Sequence, residues 1–204
     1  MSDHDADERV LAHFDRRAAT YDDWWLGTGA FASPDRPGWS AEVEQLIGVV
    51  QALPAAHVVD IACGTGFLTR HLRGEVVALD GSARMVEVAA ARLPHARVLK
   101  AEVPPLPFRD GELDRVFTSH FLHHLPPHTR ASFVAEARRV AGELVVVEDL
   151  SHAGTAGEGP HEDDLYDGSA HATHRHSFTT AALLAELGGG RVLHEGRWFV
   201  VVAG

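Results

Sequence analysis

Short apolar runs alternate with amphipathic segments through the middle of the chain, and this alternation limits the possible folds more than any other feature. Strand-like runs occur at HVVDIA (57–62), EVVALD (75–80), ARVLKA (96–101), DRVFTSH (114–120) and GELVVVEDL (142–150). Helical spacing of apolar residues predicts helices at 66–73, 82–93 (with Ser82 as N-cap) and 127–141. Short apolar strands separated by helices are typical of parallel βαβ units with helices on both faces of the sheet.

The C-terminal part of the chain predicts a different arrangement of strands. After a helix at 179–189, the stretch RVLHEGRWFVVVAG (191–204) reads as two strands joined by a turn at Glu195 and Gly196. The sequence therefore predicts an α/β fold: a Rossmann-like, seven-stranded, mostly parallel sheet with an antiparallel C-terminal hairpin and helices on both faces. The polar, Gly-rich segment 151–177 reads as an irregular loop. Residues 1–54 are expected to form a helical lid segment, and 55–204 the main domain.

Composition narrows the classes of function. The 204 residues suffice for one domain, and the net charge of -11 argues against a general nucleic-acid binder, which needs a basic face. The single cysteine, Cys63, permits no intrachain disulfide. No apolar run approaches the roughly 20 residues that span a bilayer, and the acidic N-terminus is unlike a secretory signal. We expect a cytoplasmic protein without a membrane span.

A glycine-rich turn follows the first strand of the alternating region. Open parallel sheets bind ligands beyond the carboxyl ends of their strands, where Gly64 and Gly66 allow a ligand to approach the backbone. The helix predicted after the turn would offer free N–H groups. Asp80 ends the next strand, where a carboxylate can accept two hydrogen bonds from a ribose diol. This combination predicts a nucleoside-binding site.

The details of the turn favour one kind of nucleoside. The dinucleotide motif G-x-G-x-x-G has glycine where this chain has Thr69, which disfavours an NAD-dependent oxidoreductase. Asp60, ahead of the turn, suits a ligand with cationic groups, such as an amino acid joined to adenosine through a sulfonium. A non-catalytic binding or regulatory module that kept the site and lost turnover stays open as a second alternative.

Residues 14–124 resemble the class I S-adenosylmethionine-dependent methyltransferases. VVDIACGTG and VVALDGSARMVEVA are similar to that family's first two motifs, and KAEVPPLPFRDGELDRVFTSHFLHHL to its adenine loop and fourth strand. FDRRAATYDDWW resembles the segment that folds over the cofactor. The likeness is strongest to the small-molecule subgroup that includes quinone C-methyltransferases. It implies S-adenosylmethionine as cofactor and in-line methyl transfer to a small molecule, with O-, N- and C-methylation all open.

The resemblance also implies a set of cofactor contacts. The turn would lie along the methionine part, the acid before it near the ammonium group, and the acid ending the second strand on the ribose hydroxyls. Residues between 81 and 103 would surround the adenine, with an extra proline at 105 that departs from the family pattern. The implied cofactor-binding residues are Tyr21, Asp60, Ala62, Gly64, Gly66, Asp80, Gly81, Met85, Glu102, Val103 and Ser119.

Methyl transfer needs a general base only where the acceptor must lose a proton, and the chain is rich in histidine. We expect catalytic histidines among His120, His124 and His176. Trp25 would form part of an aromatic lid over the substrate, and His174 and Arg175 would contact it, Arg175 through an anionic group. The segment around HEDD lacks a compact metal-ligand spacing, so no metal is predicted. The substrate pocket is expected to be modest in size, or completed by the second subunit of a homodimer.

Overall fold

The computed structural model describes residues 3–32, 35–151, 157–164 and 170–204, and the side chains of 10–29, 31–32, 35–151 and 176–204. The helices are α1 (Asp3–Arg17), α2 (Asp22–Leu26), α3 (Trp39–Ala52), α4 (Ala83–Arg92), α5 (Pro127–Val140) and α6 (Thr180–Glu186). The strands are β1 (Ala56–Ile61), β2 (Gly74–Asp80), β3 (Ala96–Lys100), β4 (Leu113–Ser119), β5 (Ala141–Asp149), β6 (Gly157–Asp164), β7 (Ala170–Ser177), β8 (Arg191–Glu195) and β9 (Phe199–Ala203).

The main sheet has seven strands in the order β3-β2-β1-β4-β5-β9-β8. Strands β1 to β5 are parallel, whereas β9 pairs antiparallel with β5 and β8 antiparallel with β9. The predicted mostly parallel sheet with an antiparallel C-terminal hairpin is confirmed. Strand order reverses between β1 and β4, which places the ligand-binding edge of the sheet beyond the ends of those two strands.

Both faces of the sheet are buried because neighbouring residues of a strand point to opposite sides. Val58 packs on the face covered by α2 and α3, together with Trp25 and Trp39. Val59 packs on the face covered by α5 and α6, together with Phe133. This two-sided burial explains why the strands read as continuous apolar runs rather than as alternating ones. Among the described residues, the structure contains no helix with the length and apolar character needed to cross a bilayer.

Two predictions of local structure were wrong. In place of a helix at 66–73, the chain forms a short 3-10 turn, Thr69–His71, because the Thr69 side chain is drawn inward to Asp60. The segment 151–177 is not an irregular loop in its described parts, since β6 and β7 pair antiparallel in a separate two-stranded sheet. Its polar, Gly-rich sequence carries no strand periodicity, so this pairing of two backbones with each other had no sequence signal.

Candidate active site

The turn after β1 is held in a left-handed backbone conformation at the carboxyl edge of the sheet. Ala62, Gly64 and Gly66 have φ of 57°, 55° and 80°. A non-glycine residue in this region costs roughly 1–3 kcal/mol and persists where the surrounding structure enforces it. Here the Cys63 N–H donates to the Leu79 carbonyl at 3.0 Å, which fixes the turn against β2. The strained Ala62 therefore lies where strand order reverses.

The two glycines of the turn are required for different reasons. A Cβ added at Gly64 would lie 3.5 Å from Tyr21 Cε1, an ordinary contact on the open side of the turn. A Cβ added at Gly66 would lie 2.7 Å from Leu93 Cδ1. Gly66 thus lets the turn pack against the end of α4, and only Gly64 of the pair lines the cleft described below.

Asp80 points toward the turn. Its Oδ2 accepts a hydrogen bond from Gly64 N–H at 2.8 Å, and its Oδ1 accepts one from Ser82 N–H at 2.8 Å. Burial raises the pKa of Asp80, and these two N–H donors oppose that shift. A carboxylate offers about four lone-pair sites, so Asp80 holds the turn in place and can still accept hydrogen bonds from a ligand.

Asp60 is a buried carboxyl with one unsatisfied oxygen. Its Oδ2 accepts a hydrogen bond from Thr69 Oγ1 at 2.6 Å, whereas its Oδ1 has no hydrogen-bond partner among the described residues. Burial raises the pKa of Asp60 to about 8, Thr69 opposes this shift, and the charge of Asp80 adds to it. A buried acceptor without a donor is uncommon in proteins. A cationic ligand group beside Asp60 would satisfy it.

A narrow cleft of about 20 Å³ opens beside these groups. It is lined by Tyr21, Trp25, Asp60, Ala62, Cys63, Gly64, Thr65, Phe67, Leu68 and Ser119. Six residues that the sequence predicted as site residues are therefore brought together: Tyr21, Trp25, Asp60, Ala62, Gly64 and Ser119.

Beyond Asp80, the surface predicted to surround an adenine is covered by α1. A Cβ added at Gly81 would lie 2.7 Å from Leu11 Cδ2 and 3.9 Å from Glu102 Cγ. Asp15 of α1 accepts hydrogen bonds from Ser82 Oγ at 2.5 Å and from Arg84 N–H at 3.1 Å. Met85 is buried within α4, Val103 is half-buried, and Glu102 is exposed. Helix α1 therefore lies across this end of the site.

The aromatic residues near the N-terminus form one wall of the cleft. Trp25 is 3% exposed and stacks on Phe67, with ring centroids 4.9 Å apart and planes within 3°. Its ring also contacts that of His120 edge-on at 4.8 Å. Tyr21 lies under the guanidinium of Arg17, which is 5.3 Å from the ring centroid. Trp25 thus serves both the core and the cleft wall.

Two acid–histidine pairs follow the ends of β4 and β5. His120 Nδ1 lies 3.0 Å from Ser119 Oγ, and its Nε2 lies 3.0 Å from Asp149 Oδ1. His123 Nδ1 lies 2.6 Å from Glu148 Oε2. Burial raises the pKa of Glu148 to about 7. Sequence reasoning missed both acids, although they end the strand beside β4 and so had to lie near its terminal histidine.

The remaining predicted residues lie farther along the same edge of the sheet, or their side chains are not among the described residues. His124 Nε2 is 2.9 Å from His123 Nε2, and the ring of His124 meets Phe14 edge-on at 5.7 Å. His176 is half-buried on β7, with its ring 4.4 Å from Phe178, and β7 lies against the turn Leu122–His124. The side chains of His174 and Arg175 lie outside the described residues, and so do those of the HEDD segment (161–164).

This strand order, with a left-handed turn after β1 and an acid ending β2, defines a class I methyltransferase fold. The family described as "Methyltransferase domain" matches residues 59–143. The solved DhpI–SAH complex shares 25% identity with a TM-score of 0.71, and the alignment covers 99% of this chain and 97% of that one. Residues 59–143 thus belong to the methyltransferase-domain family, and the fold of the whole chain is that of the class I S-adenosylmethionine-dependent methyltransferases.

Curated relatives match over a part of their length. The demethylmenaquinone methyltransferase of Renibacterium salmoninarum is 31% identical over 150 residues, which cover 71% of this chain and 60% of the relative. An uncharacterized methyltransferase of Synechocystis sp. is 34% identical over 102 residues, 48% of each protein. The chain thus spans about half to three-fifths of the length of these two relatives.

Proposed function

We propose that the protein binds S-adenosylmethionine in this cleft and catalyses transfer of its methyl group to a small-molecule acceptor. The observation that carries the proposal is the pair of acids around Gly64. Asp60 presents a buried oxygen that has no donor among the described residues, and Asp80 faces the turn and can accept further hydrogen bonds. The DhpI–SAH complex, which aligns with nearly the whole chain, supports this ligand class.

The cofactor-binding residues take roles that match the chemistry of S-adenosylmethionine. When bound, the cofactor supplies an electrophilic methyl group on a sulfonium. Asp60 Oδ1 would accept from its ammonium group, and Asp80 would accept from the ribose hydroxyls. Ala62, Gly64 and Tyr21 would border the methionine part, while Gly66 supports the turn from behind. Gly81, Met85, Glu102 and Val103 would surround the adenine.

Helix α1 would act as a lid within the N-terminal segment 1–54. Leu11 occupies the space beside Gly81 where the adenine is expected, so binding requires this side chain to move. Two hydrogen bonds hold α1 on this surface, from Ser82 Oγ and from Arg84 N–H at the start of α4 to Asp15. A lid that opens for the ligand and closes again would exclude water during transfer.

The acceptor would lie against Trp25 and Ser119, with the catalytic proton chemistry supplied by the histidines at 120, 124 and 176 and further contacts from His174 and Arg175. A relative from Deinococcus radiodurans, 32% identical over 120 residues, is a trans-aconitate 2-methyltransferase, and the Renibacterium relative acts on demethylmenaquinone by its name. These support a small organic acceptor and leave hydroxyl, amine and carbon acceptors open. A cytoplasmic location and a homodimer remain expectations from the sequence.

The rival functions are less well supported. A dinucleotide pyrophosphate needs a helix N-terminus after the glycine turn, and here a 3-10 turn, Thr69–His71, follows instead. Thr69, at the position of the third glycine of the dinucleotide motif, is committed to Asp60. A binding module without turnover would share the acids and the turn, so measured methyl transfer separates it from an enzyme.

Isothermal titration with S-adenosylhomocysteine (SAH) tests the proposal. Asp80→Ala is expected to weaken SAH binding by about 2 kcal/mol, close to 30-fold, because hydrogen bonds to a charged acceptor are lost. Glu87→Ala, which removes an exposed acid of α4, is the matched control and should leave SAH affinity unchanged. Wild-type protein that binds no SAH at millimolar concentration, or Asp80→Ala that binds it as tightly as wild type, would contradict the proposal.

A further inference from the structure

His120 is held in an unusual backbone conformation at the end of β4. Its φ is 54°, in the left-handed region that non-glycine residues seldom adopt. Its N–H donates to the Val147 carbonyl at 2.9 Å, and the side chain is packed against the rings of Trp24, Trp25 and Phe199. With 8% exposure, the residue is buried. Strain of this kind at a buried polar residue points to a functional constraint.

Both ring nitrogens of His120 are engaged. An ionised carboxylate only accepts hydrogen bonds, so the contact with Asp149 Oδ1 at 3.0 Å places the ring proton on Nε2. The lone pair of Nδ1 then accepts the hydroxyl proton of Ser119, whose Oγ lies 3.0 Å away. The left-handed backbone of His120 lets its side chain fold back onto its neighbour in this way. No ring nitrogen is left to meet a substrate directly.

Among the three hydrogen-bonded residues Ser119, His120 and Asp149, Ser119 is the one that reaches the cleft. It lines the cleft wall with Asp60, Ala62 and Gly64, and it is half-buried. Because its hydroxyl proton is donated to His120, the oxygen presents lone pairs toward the cleft. The three groups therefore form a connected line of hydrogen bonds from the cleft, through a shielded imidazole, to an acid at the end of β5.

We propose that Ser119 is the catalytic residue that contacts the acceptor, that His120 receives the proton through it, and that Asp149 is a positioning residue that fixes the ring tautomer. This rests on the proposed function. The acceptor's O–H or N–H bond breaks and its proton goes to Ser119 Oγ, while the Ser119 proton moves to His120 Nδ1. The electron pair stays on the acceptor atom as the nucleophile. The resulting imidazolium is paired with the Asp149 carboxylate.

Nuclear magnetic resonance of protein labelled with ¹⁵N-histidine tests the relay without any acceptor. In wild type, the His120 ring, assigned by loss of its signals in His120→Asn, is expected as the Nε2–H tautomer. Asp149→Asn should shift the population toward the Nδ1–H tautomer. Ser119→Ala should move the Nδ1 resonance toward that of a free lone pair and keep the tautomer, whereas Ser132→Ala, which removes an exposed hydroxyl of α5, should change neither.

Turnover supplies the second measurement. A panel of phenols, quinols and hydroxy acids is assayed with radiolabelled S-adenosylmethionine, and the best acceptor is used for kinetics. Ser119→Ala and Asp149→Asn should each lower kcat at least about tenfold, with KM and SAH affinity within about twofold of wild type. A wild-type Nδ1–H tautomer, or Ser119→Ala without effect on Nδ1 or kcat, would overturn the relay. Absence of SAH binding to wild type would instead contradict the proposed function, whatever the tautomer.

Discussion

The unsatisfied oxygen of Asp60 leads to a prediction in which stability and ligand affinity move in opposite directions. Asp60→Asn keeps the shape of the side chain but cannot ionise. Burial raises the pKa of Asp60 from 3.8 to about 8 in the folded protein. Below about pH 4 both folded and unfolded chains carry the proton, so ionisation costs nothing. As pH rises toward 8, only the unfolded chain releases its proton, and folding stability is lost.

The size of the effect follows from the pH interval. Each pH unit inside the interval is worth about 1.4 kcal/mol. The stability advantage of Asp60→Asn over wild type should therefore grow by about 3 kcal/mol between pH 5 and pH 7. Affinity for SAH should fall by about 1.5 kcal/mol or more, since a charge-assisted hydrogen bond to the ligand ammonium is lost.

Urea unfolding followed by tryptophan fluorescence measures the first quantity, because Trp25 and Trp39 are buried and report on the fold. Calorimetric titration with SAH measures the second. Glu87→Gln, at an exposed acid, is the control and should leave both unchanged. A stability difference that is the same at pH 5 and pH 7, or a loss of stability with unchanged SAH affinity, would refute the reasoning about Asp60.

Three further predictions follow from the geometry. Gly66→Ala should destabilise the protein by about 2–4 kcal/mol in urea unfolding, because an added Cβ meets Leu93 at 2.7 Å and φ is 80°. Adding Leu93→Ala should restore part of this stability. Unchanged stability of Gly66→Ala would contradict the packing argument. Leu11→Ala should tighten SAH binding severalfold in titration calorimetry, because Leu11 no longer competes for the space beside Gly81; weaker binding would count against a lid. Burial raises the pKa of Glu148 from 4.5 to about 7, so the contribution of Glu148 to folding stability is lost as pH rises through that range. The drop in unfolding free energy from pH 5 to pH 8 should therefore be smaller in Glu148→Gln than in wild type. An equal drop in the two proteins would exclude Glu148 as a source.

Much of the fold was predictable because burial leaves a local record. The apolar runs of β1, β4 and β5 are buried on both faces of the sheet, whereas an amphipathic helix packs against the sheet through one of its own faces only. Each strand or helix can therefore be predicted from the pattern of its own apolar residues. Ser82 was also predicted as the N-cap of α4, and this is confirmed because its Oγ accepts a hydrogen bond from Met85 N–H at 3.1 Å. The Gly-turn and the acid ending β2 were predictable as a site because parallel strands deliver their carboxyl ends to one edge.

The parts that were not predictable depend on partners far apart in sequence. The helix expected at 66–73 gave way because Thr69 turns inward to a carboxyl nine residues earlier. The antiparallel pairing of β6 with β7 joins two mostly polar segments whose sequence carries no strand periodicity. The residues around Ser119 do not by themselves indicate that an acid 29 positions beyond His120 meets its ring; that contact follows from the pairing of β4 with β5.

The amino-acid sequence by itself determined the α/β class, the direction of the strands and the edge where a ligand would bind, because hydrophobic periodicity and glycine placement act over a few residues. Only the tertiary structure decided which groups meet at that edge. The unsatisfied oxygen of Asp60, the cover that Leu11 places over Gly81 and the line from Ser119 to Asp149 each join separate segments. Such contacts are set by how helices and strands pack, and no local pattern encodes them.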